Sequence, residues 1–320
     1  MIDSDVIIVG GGPAGSSCAW ELIRHGFDVC LLDKTVFPRP KTCAGWITPQ
    51  VFEDLEILPG DYPHPMSYLS RLNIHVFSLR LSVPTHQYSI RRQEFDHWLL
   101  ERSAVIRYEH HVKDIRKEAG TYIIDDAFRC RYLVGAGGTN CPVYRTFFAD
   151  LRPRSVRSRI ITMEDEFPYA VRDGQCRLWF FEQGLPGYGW YVPKKGGYIN
   201  VGIGGKYQSL RQKGQTIRSY FSSLVRKLED LCLVTDHAFA PRGCSYYIRD
   251  DTGPVMYDNA FIIGDAAGLA TIDMGEGIGP AVRSGILAAQ AIVKKRPYAT
   301  GKIRRFSLLE ILFSRRNAAV

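Results

Sequence analysis

Three glycines, Gly10, Gly12 and Gly15, stand between two apolar runs, and Asp33 closes the second run. This is the spacing of a dinucleotide cradle. Gly10 makes the tight turn after strand residues 5–9, Gly12 lets a pyrophosphate approach the backbone, and Gly15 lets helix and strand pack closely. The helix that follows, read from Ser16 to His25, offers unpaired N–H groups and a positive dipole end to phosphate. Asp33, about twenty residues past the glycines, is placed to accept hydrogen bonds from an adenosine ribose. Pro13 and Ala14 within the turn, and Lys34 beside the carboxylate, complete the candidate set. A lone glycine triplet is weak evidence, whereas the whole strand-turn-helix-strand-acid unit is specific.

Composition narrows the remaining chemistry. With 320 residues, 45% hydrophobic and 23% charged, the chain is an ordinary globular protein of one or two domains. The eight cysteines (18, 30, 43, 130, 141, 176, 232 and 244) are scattered, with no CxxC pair and no cluster with histidine. No metal site and no disulfide framework is expected, and the setting is read as reduced and cytoplasmic. The amino terminus carries Asp3 and Asp5 rather than a basic region, so its apolar run is a strand and not a signal peptide. No stretch approaches the roughly twenty apolar residues of a spanning helix. The net charge of +8 fits either a solvated basic surface or attraction to anionic phosphates, on a substrate or on the inner membrane face. No nucleic-acid module and no basic stripe interleaved with aromatics is present.

The elements that must position the cradle follow from periodicity. Strands are expected at 29–33, between Leu69 and Leu81, at Tyr132-Leu133-Val134 and at 259–263. Helical periods run weakly over 49–58 and clearly over Arg92 to Ser103. From about 155 to 250 alternation and turn residues predict strands, interrupted by one amphipathic helix over 208–230. A long helix is expected from near Gly277 to about Lys294. The fold class is α/β. A three-layer Rossmann-like domain (1–68, 90–150 and 255–295) carries an inserted antiparallel β-sheet domain (69–89 and 151–254), followed by a basic helical tail over 296–320.

The order of several further motifs resembles the flavoprotein superfamily of p-hydroxybenzoate hydroxylase type, and within it the geranylgeranyl reductase family, over about residues 3 to 295. Gly264-Asp265 is similar to the second flavin motif, in which the aspartate holds a ribityl hydroxyl of FAD. Gly275-Glu276-Gly277-Ile278-Gly279 resembles the GEGI element; N–H groups at Gly277 and Ile278 would stabilise charge on the reduced ring. Ile272-Asp273-Met274 stands where a proline usually precedes that motif. Arg92 in Arg92-Gln93-Glu94-Phe95-Asp96 is similar to the arginine that reaches the FAD pyrophosphate and flavin edge, with Arg91 as the one-residue alternative. Val112 falls where a strand backbone contacts adenine. Gly135-Ala136-Gly137-Gly138 resembles a G-A-D-G turn with Gly137 in place of the aspartate, which argues against an aromatic hydroxylase.

Cys43, with Ala44 and Gly45, lies in a segment similar to the family's K-P-C-G-G element beside the flavin ring. The resemblance makes Cys43 the candidate catalytic residue, tuning the ring, protecting it when reduced, or passing a proton to substrate. Pro186-Gly187-Tyr188-Gly189-Trp190-Tyr191-Val192-Pro193 with Gly202-Ile203-Gly204 resembles the aromatic strand motif that lines the isoprenoid tunnel. Tyr188, Trp190, Val192, Gly202 and Gly204 are therefore the candidate substrate residues. Flavin-dependent halogenases carry a similar stretch with two tryptophans; Tyr188 in the first position favours the reductase.

The resemblance implies one resident FAD, whose reduced form passes a hydride to a carbon–carbon double bond of an isoprenoid or other hydrophobic substrate. Gly202-Ile203-Gly204-Gly205 lacks the features of a second nucleotide fingerprint. Electrons are thus expected from transient NAD(P)H, a ferredoxin-like protein or a quinol. A monooxygenase or halogenase, and a non-catalytic electron carrier, are the alternatives. Basic residues from Lys294 to Arg316 around Leu308, Ile311 and Phe313 make the tail either an amphipathic helix on an anionic membrane or a helix packed on the FAD domain; packing is slightly preferred.

Overall fold

The computed structural model describes residues 1–171 and 173–308. In chain order the first part forms β1 (Ile2–Val9), α1 (Pro13–Arg24), β2 (Val29–Asp33), β3 (Trp46–Ile47), α2 (Pro49–Asp54), β4 (Ser67–Val76) and β5 (Leu79–Ser89). Then come α3 (Arg92–Arg102), β6 (Ile106–Glu109), β7 (Ile115–Glu118), β8 (Thr121–Ile124), β9 (Phe128–Gly135) and α4 (Pro142–Phe147). The rest comprises β10 (Arg159–Pro168), β11 (Cys176–Phe180), β12 (Gly187–Lys194), β13 (Tyr198–Lys206), α5 (Tyr207–Gln212) and α6 (Ile217–Asp230). It ends with β14 (Arg242–Tyr247), β15 (Met256–Tyr257), β16 (Ala260–Ile262) and α7 (Ile278–Val293).

Two sheets result. The first runs β15-β16-β9-β1-β2-β6, parallel from β16 to β6, with the β7-β8 hairpin on the edge of β9. Val6 to Val9 are buried on both faces, which is why this strand reads as a continuous apolar run. The second sheet runs β14-β10-β13-β12-β11-β4-β5-β3. Its pairs are antiparallel except β4 with β11, where the early excursion meets the later one side by side.

Two expectations change. The single helix over 208–230 is two, α5 and α6, because Gly214 takes a left-handed φ of +62° and Thr216 then caps Ser219. The helix expected over 296–320 is absent from 296–307, which run as turns and extended chain. There Arg249 draws the carbonyls of Thr300 and Ile303 to its guanidinium, and Tyr298 and Ile303 are buried in the first sheet's core. Residues 309–320, the rest of that tail, lie outside the described residues.

Helices α1 and α7 cross with their backbones in contact. A Cβ on Gly285 would lie 2.2 Å from the carbonyl oxygen of Ala14, and one on Gly15 would lie 1.9 Å from that of Gly10. Gly15→Ala is therefore expected to lose about 1–3 kcal/mol or more through overpacking, read as a lower urea midpoint at unchanged m-value. Gly60→Ala, whose Cβ would meet nothing within 4 Å, is the control and should move the midpoint little.

Candidate functional site

A cleft of about 960 Å³ runs from the β1–α1 turn, past the loop at Cys43, to the start of α7, with the second sheet as its far wall. At the phosphate end, Gly10 has a φ of +114° and approaches the backbone of Ala136 so closely that a Cβ would lie 2.5 Å from it. Gly12 faces open space, with only Arg39 Nη2 at 3.8 Å from a Cβ position. The first turn of α1 follows it with Pro13 and no side-chain cap, leaving its N–H groups directed at the cleft. Asp33 lines the cleft and also clasps the turn: Oδ2 accepts the Gly11 N–H at 2.7 Å, and Oδ1 accepts Thr35 N and Oγ1 at 3.0 and 2.8 Å. Ala14, Lys34 and the buried Val112 share this end.

The middle of the cleft is built on buried polar contacts. Gly45 has a φ of +68°, and a Cβ there would collide with the Ile90 carbonyl at 2.0 Å. That tight turn presents Cys43, whose Sγ accepts the Gly45 N–H at 3.4 Å. The Cys43 N–H donates to Glu164 of β10, and its carbonyl accepts Asn200 Nδ2 at 3.3 Å. Lys194 donates to the carbonyls of Ala44 and Ile90 and pairs with Glu166 at 3.1 Å. Burial pushes the Glu164 carboxyl up to about 7, only partly opposed by Lys194 and the Cys43 N–H. Arg92 lines the cleft with its guanidinium clamped on buried Asp96 at 2.8 and 2.9 Å. Arg91 is instead paired with Glu94 and Glu166 and does not line the cleft.

At the far end, Asp265 lines the cleft close to the α7 start; its Oδ1 lies 3.6 Å from a Cβ position on Gly277. Among the described residues no hydrogen bond reaches its carboxylate, although its backbone oxygen accepts Arg154 at 3.5 Å. Gly277 is the N-cap of α7 and Ile278 its first residue. Glu276 accepts the Gly279 N–H at 2.6 Å, and burial pushes its carboxyl up to about 7. Where the resemblance places a proline, Asp273 gathers the N–H groups of Met274, Ser307 and Leu308 and holds the loop by a different device.

The part of the far wall on β11 and β12 is apolar and aromatic. Trp190 is 6% exposed and donates from Nε1 to Asn200 at 2.7 Å. Tyr188 and Tyr246 donate to the carbonyls of Met274 and Gly275 at 2.6 and 3.2 Å, and burial raises both hydroxyls. Gly204 lines the cleft with them. Two expected members do not. Val192 is fully buried in the sheet core, and Gly202 lies beneath the Trp190 ring, where a Cβ would come within 2.3 Å of it. The sequence reading missed Glu164, Tyr246, Leu178, Phe180 and Arg39, all of which line the cleft. Arg39 had a faint signal, as a cation in the breaker-rich run Phe37-Pro38-Arg39-Pro40; the others had none.

These residues suit FAD: a cradle with room at Gly12, an uncapped start of α1, a glycine at the start of α7, and an aspartate whose carboxylate has no hydrogen-bond partner among the described residues. The model of FAD-dependent oxidoreductases matches residues 5–87. An uncharacterised protein of Methanosarcina barkeri is 31% identical over 310 residues, covering 90% of this chain and 74% of its own. A menaquinone reductase of Mycobacterium tuberculosis is 28% identical, covering 90% and 76%. A geranylgeranyl diphosphate reductase of Rhodobacter capsulatus is 26% identical, covering 90% and 74%. Among solved structures, a geranylgeranyl bacteriochlorophyll reductase-like protein from Thermoplasma acidophilum superposes with a TM-score of 0.81 at 20% identity, covering 92% of this chain and 79% of that one. A flavin-dependent brominase reaches 0.73 at 19% identity, covering 92% and 79%, so the fold is shared beyond the reductases. On the relatives' coverage, the nucleotide motif and the cleft together, the chain belongs to the FAD-dependent oxidoreductases and is similar there to proteins named geranylgeranyl and menaquinone reductases.

Proposed function

We propose that this FAD-dependent oxidoreductase saturates carbon–carbon double bonds in the isoprenoid chain of a lipid or quinone. The observation that carries this reading is the wall formed by Trp190, Tyr188, Leu178 and Phe180, which faces the Cys43 loop across the cleft. Large apolar side chains offer nothing polar to a hydrocarbon and exclude the water that would compete for a hydride. FAD, when bound and reduced, supplies that hydride. Gly12, Asp33, Arg39 and Arg92 would hold its phosphate and ribose portions, and Asp265, Gly277 and Ile278 its ribityl and ring portions.

Saturating the bond also requires a proton on the neighbouring carbon. Glu164 supports that role in this reading: it lines the cleft, it is 5% exposed, and its carboxyl stays largely protonated up to about pH 7. Cys43 stands at the same place as a positioning group, with its N–H fixing the Glu164 carboxyl. The electron source is an NAD(P)H, a ferredoxin-like protein or a quinol that visits the cofactor.

Anaerobic turnover in detergent, with chemically reduced protein and either a prenyl diphosphate or a menaquinone, tests the reaction. Product gaining the mass of two hydrogens supports it. Product gaining oxygen or halogen in air, with none reduced anaerobically, overturns it.

Asp265→Ala should purify largely colourless, since a buried ribityl hydroxyl losing its acceptor forfeits about 1–3 kcal/mol. A normally yellow variant means that Asp265 does not touch the cofactor.

Glu164→Gln keeps an acceptor for Cys43 but no titrating proton. Its rate should fall by about 10²-fold with flavin content unchanged, and the decline of wild-type rate as pH rises through about 7 should disappear. The same group fixes a stability slope. The folded carboxyl holds a proton that the unfolded one has lost between about 4.5 and 7, so stability falls as pH rises through that window and is level above it. Urea midpoints should decline less steeply there in the glutamine variant.

A further inference from the structure

The cleft wall does not end at the cleft. Residues directly paired across strands share one face, so register traces the wall outward. From β12 the row Trp190–Leu178–Ile74–Leu81 crosses β11 and β4 to β5, and Tyr188–Phe180–Val76–Leu79 runs beside it. Every member is apolar or aromatic. The path covers three strand spacings, about 14 Å at 4.7–4.9 Å each. Its inner end is buried, with Trp190 at 6% and Leu178 at 1%, while at its outer end Leu79 is 55% exposed and Leu81 44%. The other face of the same strands carries Arg177, Asn73 and Ser82 in one row and Trp179, His75 and Arg80 in the next.

The outer end of the path carries two aromatic rings. Phe77, in the turn between β4 and β5, is 79% exposed and stacks on Phe181, 46% exposed, with centroids 6.1 Å apart. Both adopt left-handed backbone, with φ of +53° and +58°, a conformation that disfavours bulky residues. Phe181 also lines the cleft, so the exposed pair and the buried wall are one surface. Residues 67–89 contain Arg71 and Arg80 and no aspartate or glutamate, in a chain of net charge +8. An apolar tip with a cationic flank fits a bilayer whose surface is anionic and whose interior is hydrocarbon.

We propose that the β4–β5 hairpin tip, Phe77, Leu79, Leu81 and Phe181, seats in an anionic lipid bilayer, and that the apolar path conducts a hydrocarbon chain from the bilayer to the cleft. The conduction half rests on the reading that the substrate is a long hydrocarbon; the seating half does not.

The test uses the cofactor-loaded full chain and sedimentation with vesicles of phosphatidylcholine alone or mixed with phosphatidylglycerol. Wild type should sediment with the mixed vesicles, less with phosphatidylcholine, and less as salt rises. The double variant Phe77→Asp/Leu79→Asp should bind about tenfold or more weakly, while retaining flavin and turnover of a short prenyl substrate dispersed in detergent. If that pair fails to fold, Phe77→Trp serves, its emission shifting to the blue on adding mixed vesicles. Equal sedimentation of the variant, or none by wild type, overturns the proposal. Loss of turnover in the variant only with a protein reductant, without vesicle binding by wild type, marks the tip as a protein-docking face and also overturns it. Binding is read without catalysis, so a failed reductase assay with intact vesicle binding condemns the reaction and leaves the seating standing.

Discussion

The site depends on one steric constraint, the contact of α1 and α7 through their backbones. Gly285 admits the Ala14 carbonyl, and a side chain there would force the helices apart; Gly15 in turn admits the Gly10 carbonyl and seats α1 against the turn that precedes it. Because the helices cross this closely, both of their N-termini open onto the same cleft. A single helix start is suited to a phosphate, and two that converge are suited to an extended molecule with an anionic group near each end. Gly264 tightens the arrangement, since a Cβ there would stand 3.0 Å from that of Ala14, and it sets Asp265 between the two starts. Helix packing and cofactor geometry are thus one constraint.

The second support is the charge buried behind Cys43. The Lys194 side chain is 1% exposed, and an ammonium there is tolerable only if each of its donors is met. It has three donors and three acceptors, the carbonyls of Ala44 and Ile90 and the carboxylate of Glu166. Those two carbonyls belong to the cleft loop and to the segment entering α3, while Lys194 ends β12, so the ammonium ties the first part of the chain to the second sheet. Removing it would leave Glu166 and two carbonyls facing one another. Glu164 lies two residues away on the same face of β10, where the opposing charge only partly offsets its burial. The network that holds Cys43 in place thus favours the ionised form of Glu164, and burial outweighs it, leaving a protonated carboxylic acid beside the loop.

The cradle was legible in the sequence because its logic is local: Gly10, Gly12, Gly15 and Asp33 act within one strand-turn-helix-strand unit, and each spacing carries a steric meaning. Glu164 and Lys194 were not, because their roles exist only through partners 121 and 150 residues away. A glutamate on an alternating strand reads as solvent-facing until the fold lays Cys43 on it. The motif around Trp190 misled in a different way. The spacing reads as one tunnel lining, and Tyr188, Trp190 and Val192 do share a face of β12; but Val192 is fully buried in the same apolar cluster as Trp190, out of the cleft, and the indole itself covers Gly202. The break between α5 and α6 was written in Gly214, but an amphipathic period on both sides of a glycine reads as one helix until the left-handed turn is seen.

Whether the cleft is lined by hydrocarbon is decided by register rather than by composition. Along β11 the residues alternate Cys176, Arg177, Leu178, Trp179, Phe180, and only the even positions face the cleft wall. A slip of one residue would replace Leu178 and Phe180 there with Arg177 and Trp179, placing a guanidinium where the apolar path runs. The pairing most exposed to such a slip is β4 with β11, the one parallel pair of the sheet, which no short turn fixes. Its register is held instead from both sides: Asp173 binds Arg177 on the polar face, and Leu72, Ile74 and Leu178 are buried with Trp190 on the other. Turning the strand over would expose that apolar set and bury the ion pair, so the energy that stabilises the sheet is also what keeps Arg177 off the apolar wall of the cleft.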